Sequence, residues 1–447
     1  MTATRVLCAL LLGIAAGAEP APESYQVSTQ PPRLLLPPRR LRLLKRERER
    51  QSMRWQQFDA LMSGKARMAE PGFALALYHQ VSGEREAGRR AVQWALGPAE
   101  DLRQLALVFD WCKAVMEDAE AAALAAKLQR GVERAAQPVS VATARDRVLA
   151  AVALADRLPK VSEAGLRAVV EGWWRARVVP ALMRAQPIPR QDHYPLFELL
   201  HALRDNLDLD LRQTAPKFFQ QLPLYQLISY YPAPHPAAEN NYRIHASRSG
   251  GADPEAAALS RAAEMAMVAY EPNAEETQYL QGWVMHDEFL MRGVFGITYE
   301  FLWANPYHPG LSYHNLPPLL HDETFGRLFL RSNWNDDADW LGWFDGQLQR
   351  FEKGRRTVVS LAAASRQPIE IGGAVVLVAG LAEERQARRL ILLREGGGPV
   401  FILGLKPRQR YDVEVDDEEM REERTDAGGI LRLPDGTHGG IRLRLAP

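Results

Sequence analysis

The chain has very little cysteine and no net charge. It contains two cysteines in 447 residues, Cys8 and Cys112, so a disulfide framework is not expected. Lysine plus arginine and aspartate plus glutamate each number 55. No global field would therefore attract nucleic acid or an anionic membrane, and neither is a predicted partner. Stability must come from a large apolar core, and any anionic ligand must be met by local basic side chains.

Long apolar runs are almost absent. The one such run, "VLCALLLGIAAG", follows Arg5 and precedes the small residues Ala16, Gly17 and Ala18. This pattern is typical of an export signal over residues 1–18, which predicts a periplasmic or secreted protein. No later run approaches the roughly 20 apolar residues that a membrane span needs.

Several catalytic signatures are also missing. No G-x-S-x-G elbow, phosphate-binding glycine loop or dinucleotide fingerprint occurs, which excludes serine hydrolase, kinase and Rossmann interpretations. Histidine and acidic residues recur at 286–287, 308, 314 and 321–323, without the i, i+4 spacing of a helical zinc site. The sequence therefore predicts no metal and no cofactor.

The hydrophobic period changes along the chain. After a proline-rich lead-in at 19–38, apolar residues recur at helical spacing over 39–300, which predicts helix pairs stacked in a solenoid or ring. Residues 301–323, "FLWANPYHPGLSYHNLPPLLHDE", contain four prolines and suit neither a regular helix nor a strand. Short β-branched runs between Gly, Pro and Asp then fill 324–447 and predict a small antiparallel β-sandwich. The fold class expected is α+β and multidomain.

Polar and aromatic side chains concentrate in three segments around this junction. Eight of the ten histidines lie between 193 and 321, and pockets form preferentially between domains. Tyr and His side chains exchange protons, arginine clamps a carboxylate, and aromatic faces stack on sugar rings. The candidate residues are His193, Asn241, Tyr242, Arg243, His245, His286, Trp303, Asn305, Tyr307 and Arg331. The structural alternatives are histidines satisfied by neighbouring carbonyls and an ordinary connection rich in Asx turns.

The layout is similar to that of a known family. "RLLLPPRRLRLLK", "LALYHQVSGEREAGRRAVQWAL", "LRQLALVFDWC" and "GRLFLRSNWNDDADWLGWFDG" resemble segments of the heparinase II/III-like and related alginate polysaccharide lyases. The resemblance covers about residues 33–350 and implies an incomplete (α/α) toroid on a β-sandwich. It also implies β-elimination on a uronate-containing glycan.

In these lyases a helix supplies an Asn/His pair and a tyrosine follows some fifty residues later. His193 and Tyr242 have a comparable separation, with Asp192 where asparagine is expected. The resemblance thus implies His193 as charge neutraliser or base, Tyr242 as proton carrier, and Arg243 with Asn241 as carboxylate clamp. The family's His-rich strand is replaced by "QLQRFEKGRRTVVS", which has no histidine, so His286, His308 and His321 are the candidate substitutes.

Two alternatives remain open at this stage. The first is a non-catalytic glycan-binding or cell-envelope scaffold protein on a lyase-like fold. The second is a glycoside hydrolase, which needs two carboxylates, and Asp287 and Glu323 are the candidates.

Overall fold

The computed structural model describes residues 24–134, 139–236, 241–249, 251–287, 289, 291–364, 367–379, 388–392 and 397–446. The predicted export signal at 1–18 and the first part of the lead-in lie outside the described residues. Within the described ranges, none of the helices has both the length and the apolar character needed to cross a membrane.

Helices form the first two thirds of the described chain. They are α1 Pro38–Glu49, α2 Met53–Ser63, α3 Pro71–Ser82, α4 Arg85–Leu96, α5 Leu102–Trp111, α6 Asp118–Arg134, α7 Val141–Ala153, α8 Pro159–Arg167, α9 Val179–Met183, α10 His193–Leu207, α11 Pro216–Ile228, α12 Pro254–Tyr270, α13 Glu275–His286 and α14 Ile297–Trp303. A π-helical segment, Ala168–Val178, joins α8 to α9. A two-stranded hairpin, β1 His235–Pro236 with β2 Asn241–Tyr242, lies between α11 and α12.

Local sequence explains where several of these helices begin. Asp101 accepts a hydrogen bond from the Gln104 backbone at the start of α5. Ser140 and Thr143 form a reciprocal capping box on α7. Such caps satisfy backbone N–H groups that have no partner within the helix. The helices then bury their apolar faces in one large core.

Strands form the rest of the described chain. They are β3 Leu319–Asp322, β4 Arg327–Arg331, β5 Trp340–Phe344, β6 Gln347–Glu352, β7 Arg355–Val359, β8 Ile369–Ile371, β9 Ala374–Val378, β10 Arg388–Leu392, β11 Val400–Leu403, β12 Arg410–Val415, β13 Arg421–Arg424, β14 Leu431–Leu433 and β15 Gly439–Leu445, with a short α15, Leu361–Ala364, after β7. The predicted combination of helices followed by antiparallel sheets is confirmed. One strand pair, β9 with β11, is parallel.

Three sheets stack behind the helices. The first has the order β3-β4-β5-β6-β7, the second β14-β11-β9-β8 and the third β10-β15-β12-β13. Because side chains alternate along a strand, Leu328 and Leu330 of β4 face the second sheet while Phe329 packs into the helical core. β9 alternates in the same way, with Val376 toward the first sheet and Val375 toward the third.

The strands β4 and β5 of the first sheet are therefore buried on both faces, which explains their apolar sequences. Trp340 on β5 donates its indole N–H to the carbonyl of Ile228 at the end of α11, at 2.8 Å. The helices and the first sheet share one core, and Arg243 and Arg331 lie at their boundary.

Candidate functional site

Arg243 connects the helical part to the β part. It follows β2, and its Nε lies 3.2 Å from Asp287 Oδ1, just after α13. Its Nη2 lies 2.8 Å from Asp336 Oδ1, in the loop between β4 and β5. The guanidinium also covers the ring of Trp283 at 5.2 Å. Arg243 thus joins the segment after β2 to the end of α13 and to the loop between β4 and β5.

An aromatic and imidazole face surrounds this arginine. Tyr313, from the 301–323 segment, packs edge-on against Trp283 at 5.1 Å and stacks on His314 at 4.4 Å. His286, the last residue of α13, lies 6.2 Å from His314. Both histidines are exposed, whereas Tyr313 and Trp283 are buried beneath them. Two imidazoles therefore lie at the surface directly over the ring stack.

Arg331 is a buried cation at the same boundary. It lies at the end of β4, 1% exposed, with its guanidinium 4.9 Å from the ring of Trp334. Its Nε and Nη2 donate to the carbonyls of Asn333 and Asn335, and its Nη1 has no acceptor among the described residues. Burial, and next the charge of Arg243, lower the pKa of Arg331 to about 9. Arg331 is held by backbone carbonyls and lacks a full counter-charge.

These residues form what is called here the junction cluster, defined as Arg243, His286, Asp287, Tyr313, His314, Arg331 and Asp336. It contains four residues named from the sequence, namely Arg243, His286, Arg331 and, for the hydrolase alternative, Asp287. Tyr313 and His314 come from the 301–323 segment, and Asp336 comes from a segment quoted for the family resemblance.

A buried ion network supports the cluster from behind. Arg261 of α12 pairs with Asp287 and, at 3.1 Å, with Glu264. Glu264 accepts the Tyr230 hydroxyl at 2.6 Å and lies 3.4 Å from Arg190. The sequence analysis did not single out these residues. The sequence feature that could have identified them is the occurrence of Arg261 and Glu264 in α12, a helix that is otherwise mostly apolar.

His193 lies in a position that a substrate does not reach. Its side chain is fully buried at the start of α10, with Nε2 3.2 Å from the carbonyl of Ile188 and Nδ1 3.0 Å from Gln226 Nε2. Burial lowers the pKa of His193 to about 3, so the ring is neutral at pH 7. Both nitrogens have protein partners, which matches the structural alternative for this residue.

The candidates Asn241, Tyr242 and His245 differ in exposure. His245 is half-buried, and its backbone forms an isolated antiparallel β-bridge with Tyr230. Burial lowers the pKa of His245 to about 3. Asn241 is exposed on β2. The ring of Tyr242 is buried against His235 and Phe289, and its hydroxyl makes no hydrogen bond within the described part of the chain. The Tyr242 hydroxyl thus has no hydrogen-bond partner among the described residues.

Trp303, Asn305 and Tyr307 lie in a separate pocket of about 600 Å³. Arg39, Arg40, Arg42 and Arg46 of α1 line it together with Arg204 and Asp205 of α10, and the set is called here the arginine pocket. Trp303 is buried, with Arg40 4.3 Å above its ring, whereas Tyr307 is 56% exposed. α1 belongs to the part of the chain that resembles the lyase family, but its sequence did not predict a site.

The two carboxylates of the hydrolase alternative have different surroundings. Asp287 is buried and bound by Arg243 and Arg261, whereas Glu323 is exposed beside His321, at 3.8 Å. His321 also meets Asp426 at 3.0 Å, in a groove against the loop before β14. Across the described residues, no group of three or more His, Cys, Asp or Glu side chains is placed to hold a metal ion.

Comparison with models of known protein families gives no match to this chain, and comparison with characterised proteins gives none either.

Proposed function

We propose that this chain is an exported carbohydrate-active protein that binds a uronate-containing glycan at the junction cluster. The proposal includes the lyase-like architecture of the family resemblance, with the helices arranged as an incomplete (α/α) toroid. The observation that carries it is the exposed carboxylate of Asp336 on a largely buried cation. A ligand carboxylate is the chemical equivalent of that side chain.

The charges in the cluster explain why a ligand would displace Asp336. The Asp336 side chain is 61% exposed while that of Arg243 is 11% exposed, so solvent competes for the aspartate and much less for the arginine. Arg331, which lacks a carboxylate partner among the described residues, adds a second buried positive charge nearby. A uronate would be attracted by both guanidiniums, and a buried charge pair is worth more than an exposed one.

The exposed surface of the cluster suits a sugar. His286 and His314 expose their imidazoles to solvent. Their ring centroids lie 5.8 Å and 4.4 Å from that of the buried Tyr313. Hydroxyl groups of a sugar ring would find donors and acceptors there.

The test compares two neighbouring aspartates. Asp336→Asn removes the internal competitor for Arg243, so the affinity for an oligouronate is expected to rise about three- to tenfold, equivalent to about 1 kcal/mol. Calorimetric titration with a panel of oligouronates measures this change. Asp337→Asn is the matched control, because Asp337 is equally exposed in the same loop and forms no ion pair with the described residues.

Carboxyl-reduced versions of the same oligosaccharides are the ligand control, and they are expected to bind at least tenfold more weakly. Equal binding of both ligand forms, or equal effects of the two aspartate variants, would contradict a carboxylate site at Arg243.

β-Elimination is the second candidate function. It is supported by the Tyr242 hydroxyl, which has no hydrogen-bond partner among the described residues and belongs to the residue that precedes Arg243. In such a reaction a base removes the proton next to the uronate carboxylate, and the bond to the leaving glycosidic oxygen breaks. The electrons of the broken C–H bond form a new carbon–carbon double bond in the sugar ring, and the leaving oxygen takes up a proton. Two guanidiniums would neutralise the carboxylate, and Tyr242 would carry the proton.

Ultraviolet absorbance of the unsaturated product tests this reaction on the same glycan panel. Tyr242→Phe is expected to lower the rate by about 10²-fold or more while leaving binding within about twofold. Binding without any absorbance change would leave the non-catalytic glycan-binding alternative. Reducing ends without unsaturation would indicate hydrolysis instead.

A further inference from the structure

The arginine pocket contains far more positive than negative charge. Five arginines and one carboxylate, Asp205, line it, which leaves a formal excess of four positive charges. Arg204 lies 3.1 Å from Asp205, and the four α1 arginines that line the pocket form no ion pair with any described residue. Cations that share a small volume repel one another, and this cost is relieved when an anion binds between them.

The start of α1 lies at the same place and has the same preference. Pro37 precedes the helix and provides no side-chain cap, and the first turn contains no acidic residue. Arg39 and Arg40 occupy that turn instead, where the helix dipole disfavours positive charge. Uncapped backbone N–H groups and the two arginines would both be stabilised by one anion.

Two side chains in the pocket have no acidic partner within hydrogen-bonding distance among the described residues. Arg40 donates to the carbonyl of Leu35 at 2.6 Å, and its guanidinium carbon lies 4.3 Å from the ring centroid of Trp303. His308 lines the same pocket, and its Nδ1 is buried with no hydrogen-bond partner among the described residues. Burial, followed by the charges of Arg39 and Arg40, lowers the pKa of His308. An oxyanion would offset the charge of Arg40 and would accept a hydrogen bond from His308 in the tautomer that carries its proton on Nδ1.

The dimensions limit the ligand. A pocket of about 600 Å³ is the size of a small-molecule site. A single carboxylate would offset only one of the four excess charges. Guanidinium groups bind phosphate and sulfate through paired hydrogen bonds, and the exposed face of Tyr307 offers a flat contact for the remainder of a molecule.

We infer that the arginine pocket binds a compact ligand carrying at least two phosphate or sulfate groups. This site is separate from the junction cluster and does not depend on the glycan proposal. The phosphate and sulfate forms share the chemistry of a multiply charged oxyanion, and the choice of probe distinguishes them.

The test uses the whole chain and two double variants of equal charge change. Arg42→Glu with Arg46→Glu reverses two exposed pocket arginines whose side chains make no hydrogen bond to the described residues. Lys45→Glu with Arg90→Glu is the control, because both residues are exposed and neither lines the pocket. Calorimetry with inorganic pyrophosphate, and with a disaccharide bearing two sulfate groups, measures binding, and the thermal midpoint of each variant confirms folding.

Wild type and the control variant are expected to bind at least one probe, and the pocket variant at least tenfold more weakly. Binding of pyrophosphate alone would identify a phosphorylated ligand, and binding of the disaccharide alone a sulfated sugar. The inference is overturned if wild type binds neither probe at millimolar concentration, or if both double variants lose affinity equally. Neither result alters the expectation for Asp336→Asn, so this inference and the glycan proposal fail separately.

Discussion

At the residue scale, burial decides which candidate histidines could take part in chemistry. A histidine in a polar segment is compatible with a catalytic base or with a structural hydrogen-bonding group, and only its surroundings decide. His193 has both ring nitrogens hydrogen-bonded to protein atoms. His286 is exposed and precedes Asp287, which pairs with Arg243. Sequence spacing identified both residues as candidates, but it contained no information on the depth of either ring.

The buried neutral ring of His193 makes folding sensitive to acid. Its pKa is about 3 in the folded chain against 6.5 when unfolded, so below pH 6.5 only the unfolded chain takes up this proton. The free energy of unfolding should therefore fall as the pH drops from 6.5 toward 3. This one residue accounts for about 3 kcal/mol between pH 7 and pH 4.

His193→Gln tests this effect, because glutamine keeps a donor for Ile188 but does not titrate. Urea denaturation at pH 7 and pH 4 should show that the loss of stability on acidification is smaller by about 3 kcal/mol in the variant. His438→Gln, at an exposed histidine, serves as control and should leave the wild-type difference unchanged. An identical acid response in wild type and His193→Gln would refute the assigned burial cost.

At the scale of elements, the helices were more predictable than their contacts. The 3.6-residue period of the apolar residues predicted the helical part, and the change of that period predicted the strands. The hairpin of β1 and β2 has only two residues per strand, too short for any periodic signal. Every residue of β9 is apolar and buried, which indicates burial on both faces but does not identify the sheets that cover them.

Gly282 shows how one element fixes the junction cluster. It lies inside α13, and a Cβ atom there would come within 1.8 Å of the carbonyl oxygen of Leu311. Leu311 also donates its N–H to Gln278 at 2.9 Å, so the 301–323 segment lies directly on this helix. The close approach positions both Tyr313 and His286.

Gly282→Ala should destabilise the chain by about 1–3 kcal/mol, although alanine is the better helix former, because backbone atoms must move apart. Chemical denaturation measures the change, and oligouronate affinity should weaken with it. Gly251→Ala is the matched control, since a Cβ there has no neighbour within 4 Å. If both alanine variants were equally stable, the packing of this segment on α13 would have to differ from that described.

At the scale of the whole molecule, the layers explain why the cluster forms where it does. The first sheet lies between the helical core and the second sheet, so the ends of β4 and β5 open toward α13 and the segment after β2. Zero net charge coexists with a strongly basic place, the arginine pocket, whereas the junction cluster contains two arginines and two aspartates. Composition alone could not reveal this, because α1 is separated in sequence from α10 and α14 and meets them only in the folded chain.

The most direct measurement of the central claim is a crystal structure of the whole chain with an oligouronate. We expect a sugar carboxylate on Arg243 in place of Asp336, within about 3 Å of the guanidinium, with the ring beside His286 and His314. A glycan bound elsewhere, with Asp336 still on Arg243 and no anion near Arg331, would contradict the account.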